Sequence, residues 1–201
     1  MYAAARDPRA VTTPGAVPLA LDVTDPESVA AAAAQAGDVT ILVNNAGGLV
    51  GANYLTSPVD DVRREFEVNF YGPLLVTRAF APALVAGGGH VLNVHSVLSW
   101  LALSGSYSAT KAALWSMTNA LRVDLAPKGV GVTGLHVGYV DTDMAAAVTE
   151  PKSDPAEVVR QALDGVEAGA HEVLADEVTR NVKRGLSADV SALYPQLAAA
   201  V

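Results

Sequence analysis

The 201-residue chain contains no cysteine, which excludes disulfides, thiolate metal sites and cysteine nucleophiles. Histidine is scarce and scattered: His90, His95, His136 and His171 show no HExxH or comparable ligand spacing, so no metal site is expected. Positive charge is also in short supply. Thirteen Lys and Arg against 21 Asp and Glu leave a formal charge of -8, and a negative field disfavours nucleic acid as a partner. Long hydrophobic runs are missing too, because Gly, Pro or charge interrupts every apolar stretch before the roughly 18 residues a bilayer span requires. The N-terminus, Met1-Tyr-Ala-Ala-Ala-Arg6-Asp-Pro8, has no basic segment followed by an apolar one, so neither export nor membrane insertion is expected. The expected location is the cytoplasm.

What is present reads as one α/β domain over residues 1–201, without linker, repeat or low-complexity tract. Met1 to Ala5 is a short strand candidate and Val17 to Leu21 a buried one. Thr24 or Asp25 can cap a helix that begins at Pro26-Glu27 and runs through alanines to about Ala36. Val39 to Val43 is continuously apolar, as expected for a strand covered on both faces. A helix follows from Pro58 to about Val85, stopped by Gly87-Gly-Gly89. His90 to Val94, Gly129 to Val137 and His171 to Leu174 read as strands. Tyr107 to Leu125, Pro155 to Ala168, Glu177 to Leu186 and Asp189 to Leu197 read as helices. Strands alternating with helices at this spacing predict parallel βαβ units with helices on both faces.

The chemistry gathers at Tyr107-Ser-Ala-Thr-Lys111. Four residues advance a helix by about one turn, which places Tyr107 and Lys111 on one face. A phenol ordinarily titrates near pH 10, and a neighbouring ammonium favours its phenolate, bringing proton exchange with a substrate oxygen toward the working pH. A YxxxK pair alone carries little weight. It is accompanied in order by Asp22-Val23, Asn44-Asn-Ala-Gly47, Asn69, Ser96 and the stretch Gly138 to Thr142. This ordered set resembles the classical short-chain dehydrogenase/reductase family across nearly the whole chain.

The resemblance implies a Rossmann-like doubly wound parallel sheet, and roles for individual residues. Tyr107 would transfer the proton, Lys111 would lower its pKa and hold the nicotinamide ribose, Ser96 would orient the substrate oxygen, and Asn69 would support a water-linked proton path. Ser99 and Ser104 compete with Ser96, whose separation from Tyr107 is about two residues shorter than the family's. Its place just past a strand end, where sheet ligands gather, favours Ser96. Asp22 and Val23 would read the adenine, and Asn44, Ala46 and Gly47 would lie beside the adenine ribose. Val140 and Thr142 would contact the nicotinamide amide and a phosphate, although Val137-Gly138 stands where the family has Pro-Gly. Arg6, just after a strand, would pair with the 2′-phosphate of NADP, with NAD as the other option.

The same comparison leaves an expected gap. The family opens with a strand and a TGxxxGxG turn that receives the pyrophosphate, and nothing before Tyr2 supplies them. The sequence therefore predicts an N-terminally truncated member lacking its first βα unit. The implied function is hydride transfer between NADP(H) and a small carbonyl or alcohol. An inactive fragment or a regulatory or assembly protein is the alternative. Leu98, Trp100, Leu101, Leu103 and Met144 to Thr149 would line an apolar substrate pocket, with Trp100 equally assignable to the core or to a subunit contact. The family's habit implies a homodimer or homotetramer formed through the helices at 58–85 and 107–125.

Overall fold

The computed structural model describes residues 1–200, with no side-chain description for 198–200. The chain opens on strand β1 (Tyr2–Ala5), which pairs in parallel with β2 (Val17–Ala20). The expectation that the N-terminal strand is missing is thus corrected at the start of the fold. A 3-10 turn at Pro8–Ala10, capped by Asp7, lies in the connection between β1 and β2.

Asp25 caps α1 (Pro26–Gln35) by accepting the Glu27 N–H at 2.9 Å, with Pro26 in the first turn. Both features satisfy or remove amide donors that a helix start leaves open. Strand β3 (Ile41–Asn44) leads to α2 (Val59–Phe66), a π-helical segment at Glu67–Tyr71 and α3 (Gly72–Gly87). The helix expected from Pro58 to Val85 is present, with an unforeseen wider turn in its middle. By length and composition the 29 residues Val59–Gly87 could cross a bilayer. Here they bury Val76, Phe80 and Leu84 in the core.

Strand β4 (His90–Val94), helix α4 (Gly105–Leu125) and strand β5 (Gly131–His136) follow. Then come α5 (Pro155–Glu167), β6 (Glu172–Leu174), α6 (Glu177–Gly185) and the short α7 (Val190–Leu193). Asp154 caps α5, accepting the Ala156 and Glu157 N–H groups.

The parallel strands form two ladders, β1-β2 and β3-β4-β5-β6. Consecutive residues on β4 enter different cores. Val91 joins Leu19, Val29, Ala32, Phe80 and Leu84, while Leu92 joins Leu135, Val158 and Ala162. Side chains alternate across a strand, so α1 and α3 cover one face and α5 the other. A Rossmann-like parallel arrangement flanked by helices results. Two burial expectations need correction. On β2 only Leu19 is buried, because β2 has β1 as its sole ladder partner. On β3, Ile41 and Val43 are about half exposed while Leu42 and Asn44 are buried, because alternate side chains take opposite faces and the core under α5 includes no β3 residue.

Candidate active site

The candidate site lies at the carboxyl ends of β3 and β4, where α4 begins. Ser96, two residues beyond β4, caps the 3-10 turn Val97–Ser99 by accepting the Leu98 N–H at 3.1 Å. Its own hydroxyl proton is left for another acceptor. Tyr107 and Lys111 sit on successive turns of α4, and both are buried. The Lys111 Nζ lies 5.7 Å from the centre of the Tyr107 ring and donates to Val94 O at 2.9 Å. That bond ties α4 to the strand that leads into Ser96.

Burial pushes the Tyr107 phenol up to about 12, with Ser96 acting in the opposite direction and Glu65 reinforcing the rise. Burial likewise brings Lys111 down to about 8. The expected lowering of the phenol by the ammonium is therefore not what dominates: both groups respond first to removal from water, which penalises their charged forms. At neutral pH Tyr107 is a proton-bearing phenol.

Asn69 falls in the π-helical segment and is 1% exposed. Its Oδ1 accepts the Gly48 N–H at 2.9 Å, while its Nδ2 donates to Gly48 O at 2.9 Å and to Thr110 Oγ1 at 3.1 Å. The side chain thus joins the loop after β3 to α4. A Cβ placed on Gly47 would lie 3.3 Å from Asn69 Oδ1 and 3.9 Å from Lys111 Nζ. The small residue keeps the approach to the lysine open.

The residues assigned to the cofactor divide into two kinds. Ala46 and Gly47 are exposed along the loop, and Thr142 is exposed beyond β5. Val140 bridges to Ser153. Arg6 and Asp22 meet at the carboxyl ends of β1 and β2, close enough for the guanidinium to help hold the Asp22 carboxyl low, behind the larger effect of Thr24. Asp22 Oδ1 accepts both the Thr24 N–H and hydroxyl. Asp7 is engaged by Arg9 instead. Val23 packs against Gly72, where an added Cβ would come within 2.8 Å. Asn44 is a different matter. Its Nδ2 donates to Thr77 Oγ1 and Asn93 Oδ1 inside the core, which makes it a tie between β3, β4 and α3.

Trp100, open between pocket and core in the sequence, belongs to the core. It stacks on His136 with ring centres 4.1 Å apart, and His136 stacks in turn on His95. Lys183 Nζ from α6 lies 5.0 Å from the Trp100 ring and 5.4 Å from Trp115. Leu103 and Met144 remain more than half exposed at the rim. Glu65, which sequence reasoning passed over, is 2% exposed beside the start of α4. It stands among Asp60, Asp61, Arg63 and Arg64, a pattern that reads as a solvated helix face.

A family profile for short chain dehydrogenases matches residues 3–153. The chain is 37% identical over 139 residues to an NADPH-dependent 1-acyldihydroxyacetone phosphate reductase of Schizosaccharomyces pombe, covering 66% of this chain and 47% of that protein. A 1-deoxy-11-beta-hydroxypentalenate dehydrogenase of Streptomyces exfoliatus is 38% identical over 141 residues, covering 65% and 51%. The chain thus spans about half the length of these curated relatives. Among solved structures, a short chain dehydrogenase from Burkholderia cenocepacia in complex with NADP superposes with a TM-score of 0.91 and 39% identity, covering 98% of this chain and 85% of that one. The match begins at residue 3 and takes in β1, which overturns the expectation of a family member without its N-terminal strand.

Proposed function

Since the chain belongs to the short-chain dehydrogenase family, we propose that it is an oxidoreductase transferring a hydride between NADP(H) and a small, mainly apolar carbonyl or alcohol. The observation that carries this reading is the buried Tyr107 phenol beside Lys111 and Ser96 at one strand end. When bound, the nicotinamide supplies or takes up the hydride.

The residues present fit such a group. Lys111 spends one donor on Val94 O and keeps two for a ribose. Gly47 leaves room beside it, since a Cβ there would approach both Lys111 and Asn69. Arg6 sits beyond β1, where a guanidinium suits a 2′-phosphate and supports NADP over NAD. In the reducing direction Ser96 Oγ donates to the substrate oxygen and holds it toward Tyr107. Tyr107 Oη then gives its proton to that oxygen as negative charge develops there, and recovers one by way of Lys111. The exposed Leu103 and Met144 support an apolar substrate. A homodimer or homotetramer and a cytoplasmic location belong to the same proposal, which rests for both on family habit.

The test uses purified protein, NADPH and NADH, and a panel of aliphatic and aromatic ketones. NADPH oxidation that depends on ketone, with a lower KM for NADPH than for NADH, is the expected result. Tyr107→Phe should lower kcat by about 10²-fold or more while NADPH still binds. Absence of binding to either nucleotide favours the non-catalytic reading. Retention of full rate in Tyr107→Phe removes the proton-transfer role.

A further inference from the structure

Glu65 is a buried carboxylate to which the reaction outlined above gives no part. Its Oε1 accepts the Val50 N–H at 2.7 Å and the Gly51 N–H at 3.1 Å. Its Oε2 accepts the Ser106 hydroxyl. Ser106 Oγ in turn accepts the Ala52 N–H at 3.0 Å, and the Ser106 N–H donates to Ala52 O at 3.0 Å. Tyr54 Oη adds a bond to Gly105 O at 3.0 Å. The loop after β3 therefore runs along the first turns of α4, with Gly47 beside Lys111 and Ala52 beside Ser106. Close approach at the near end demands glycine: Gly105 has φ +47°, and a Cβ there would lie 2.2 Å from Ala52 O.

Two residues four apart on the preceding helical stretch hold this loop. Asn69 fixes Gly48, and Glu65 fixes residues 50–52 together with the residue adjoining Tyr107. Such a buried carboxylate is expensive to desolvate unless its acceptor sites are filled, and three donors fill them here. An aliphatic residue would pack in the same place without that cost, so the arrangement secures geometry more than stability.

From this we infer that Glu65 is a positioning residue, which clamps the substrate-side loop at residues 50–52 onto the N-terminus of the catalytic helix and so sets where Tyr107 meets the substrate. The exposed Leu49 and Val50 side chains are carried on the clamped segment, so the same bonds set one wall of the substrate rim. This inference rests on the oxidoreductase reading for its catalytic half, while its structural half stands on the protein alone. The charge of Glu65 also contributes to the raised pKa of Tyr107. Lys111, on the same helix, places its ammonium 5.7 Å from the centre of the phenol ring.

Three variants of the whole chain test it. Glu65→Leu removes every acceptor. Glu65→Gln keeps an oxygen for Val50 and Gly51 and offers an amide to Ser106. Ser106→Ala cuts the helix side alone. The readouts are kcat and KM with the ketone panel, NADPH affinity by nucleotide fluorescence, and ligand-free amide exchange across residues 48–54. Glu65→Leu should lower kcat/KM for ketone by about tenfold or more while NADPH affinity changes by less than about threefold. Exchange at Val50 and Gly51 should accelerate by roughly 10²-fold, and Glu65→Gln should restore much of both properties.

A folded Glu65→Leu protein with unchanged exchange and unchanged ketone kinetics overturns the inference. So does a loss in which NADPH affinity and exchange across the whole fold worsen together and Gln does not rescue. Should Glu65→Leu fail to fold, Ser106→Ala decides on the same readouts, with unchanged kinetics and exchange counting against. If the unmodified protein reduces no ketone, the oxidoreductase reading falls, and local amide exchange still decides whether Glu65 clamps the loop.

Discussion

Buried with Val94 O as its acceptor, the Lys111 ammonium is less comfortable in the folded protein than in water, which is why its pKa falls to about 8 from an ordinary 10.5. Between those values the unfolded chain binds more protons than the folded one, so stability rises as pH climbs from about 8 toward 10.5. Tyr107 acts in the opposite sense higher up. Its pKa is raised from 10.0 to about 12, so the folded form holds the extra proton and stability falls over that window. Denaturant melts at pH 7, 10 and 12 should therefore show the greatest stability at pH 10. Lys111→Met, which keeps the stem and drops the charge, should be about 1–3 kcal/mol more stable at pH 7, lose the rise above pH 8, and have little or no reductase activity. A Lys111→Met protein no more stable than its parent at pH 7 would show that the ammonium is well solvated in place.

Between α6 and the segment after β4, a small group of side chains holds the C-terminal elements to the site. Lys183 donates to Glu172 Oε2 at 2.6 Å and faces both Trp100 and Trp115. Contacts with His136, Lys183 and the Trp115 indole N–H hold the Glu172 carboxyl well below its usual range. Tyr194, beyond α7, accepts the Ala102 N–H at 2.8 Å. Lys183→Ala should cost about 1–2 kcal/mol, the sum of a half-buried ion pair and two cation–π contacts, read from urea midpoints at constant slope. None of this was legible in the sequence, because Lys183, Glu172 and the tryptophans are far apart in the chain. What was legible has local causes. Asp25 and Asp154 precede Pro and open helices, Gly87-Gly-Gly89 ends one, and Tyr107 and Lys111 are matched by spacing. Asn44 matched a motif too, but whether an amide faces a ligand or Thr77 is decided by packing. Glu65 has no signature, since its donors are backbone amides from another element. The π-helical turn that seats Asn69 has none either.

At the scale of the whole molecule, the two ladders are unequal. β4 and β5 have partners on both sides and bury Val91, Leu92, Val132 and Leu135, whereas β1 and β2 have one another and bury Leu19 alone. Amides of β1 and β2 should therefore exchange through local openings, at least about tenfold faster than those of β4 and β5. Uniform protection across the six strands would show instead that the fold opens as one unit. The arrangement around Lys183 gives such openings an optical readout. Trp100 and Trp115 are the chain's two tryptophans. They stand edge to face with centres 6.0 Å apart beneath one ammonium, so the entire indole emission and its near-ultraviolet circular dichroism originate at the seam where α6 docks. A change in colour or intensity on adding a ligand would signal motion of that seam, while the amino-terminal ladder could come apart without altering the light at all.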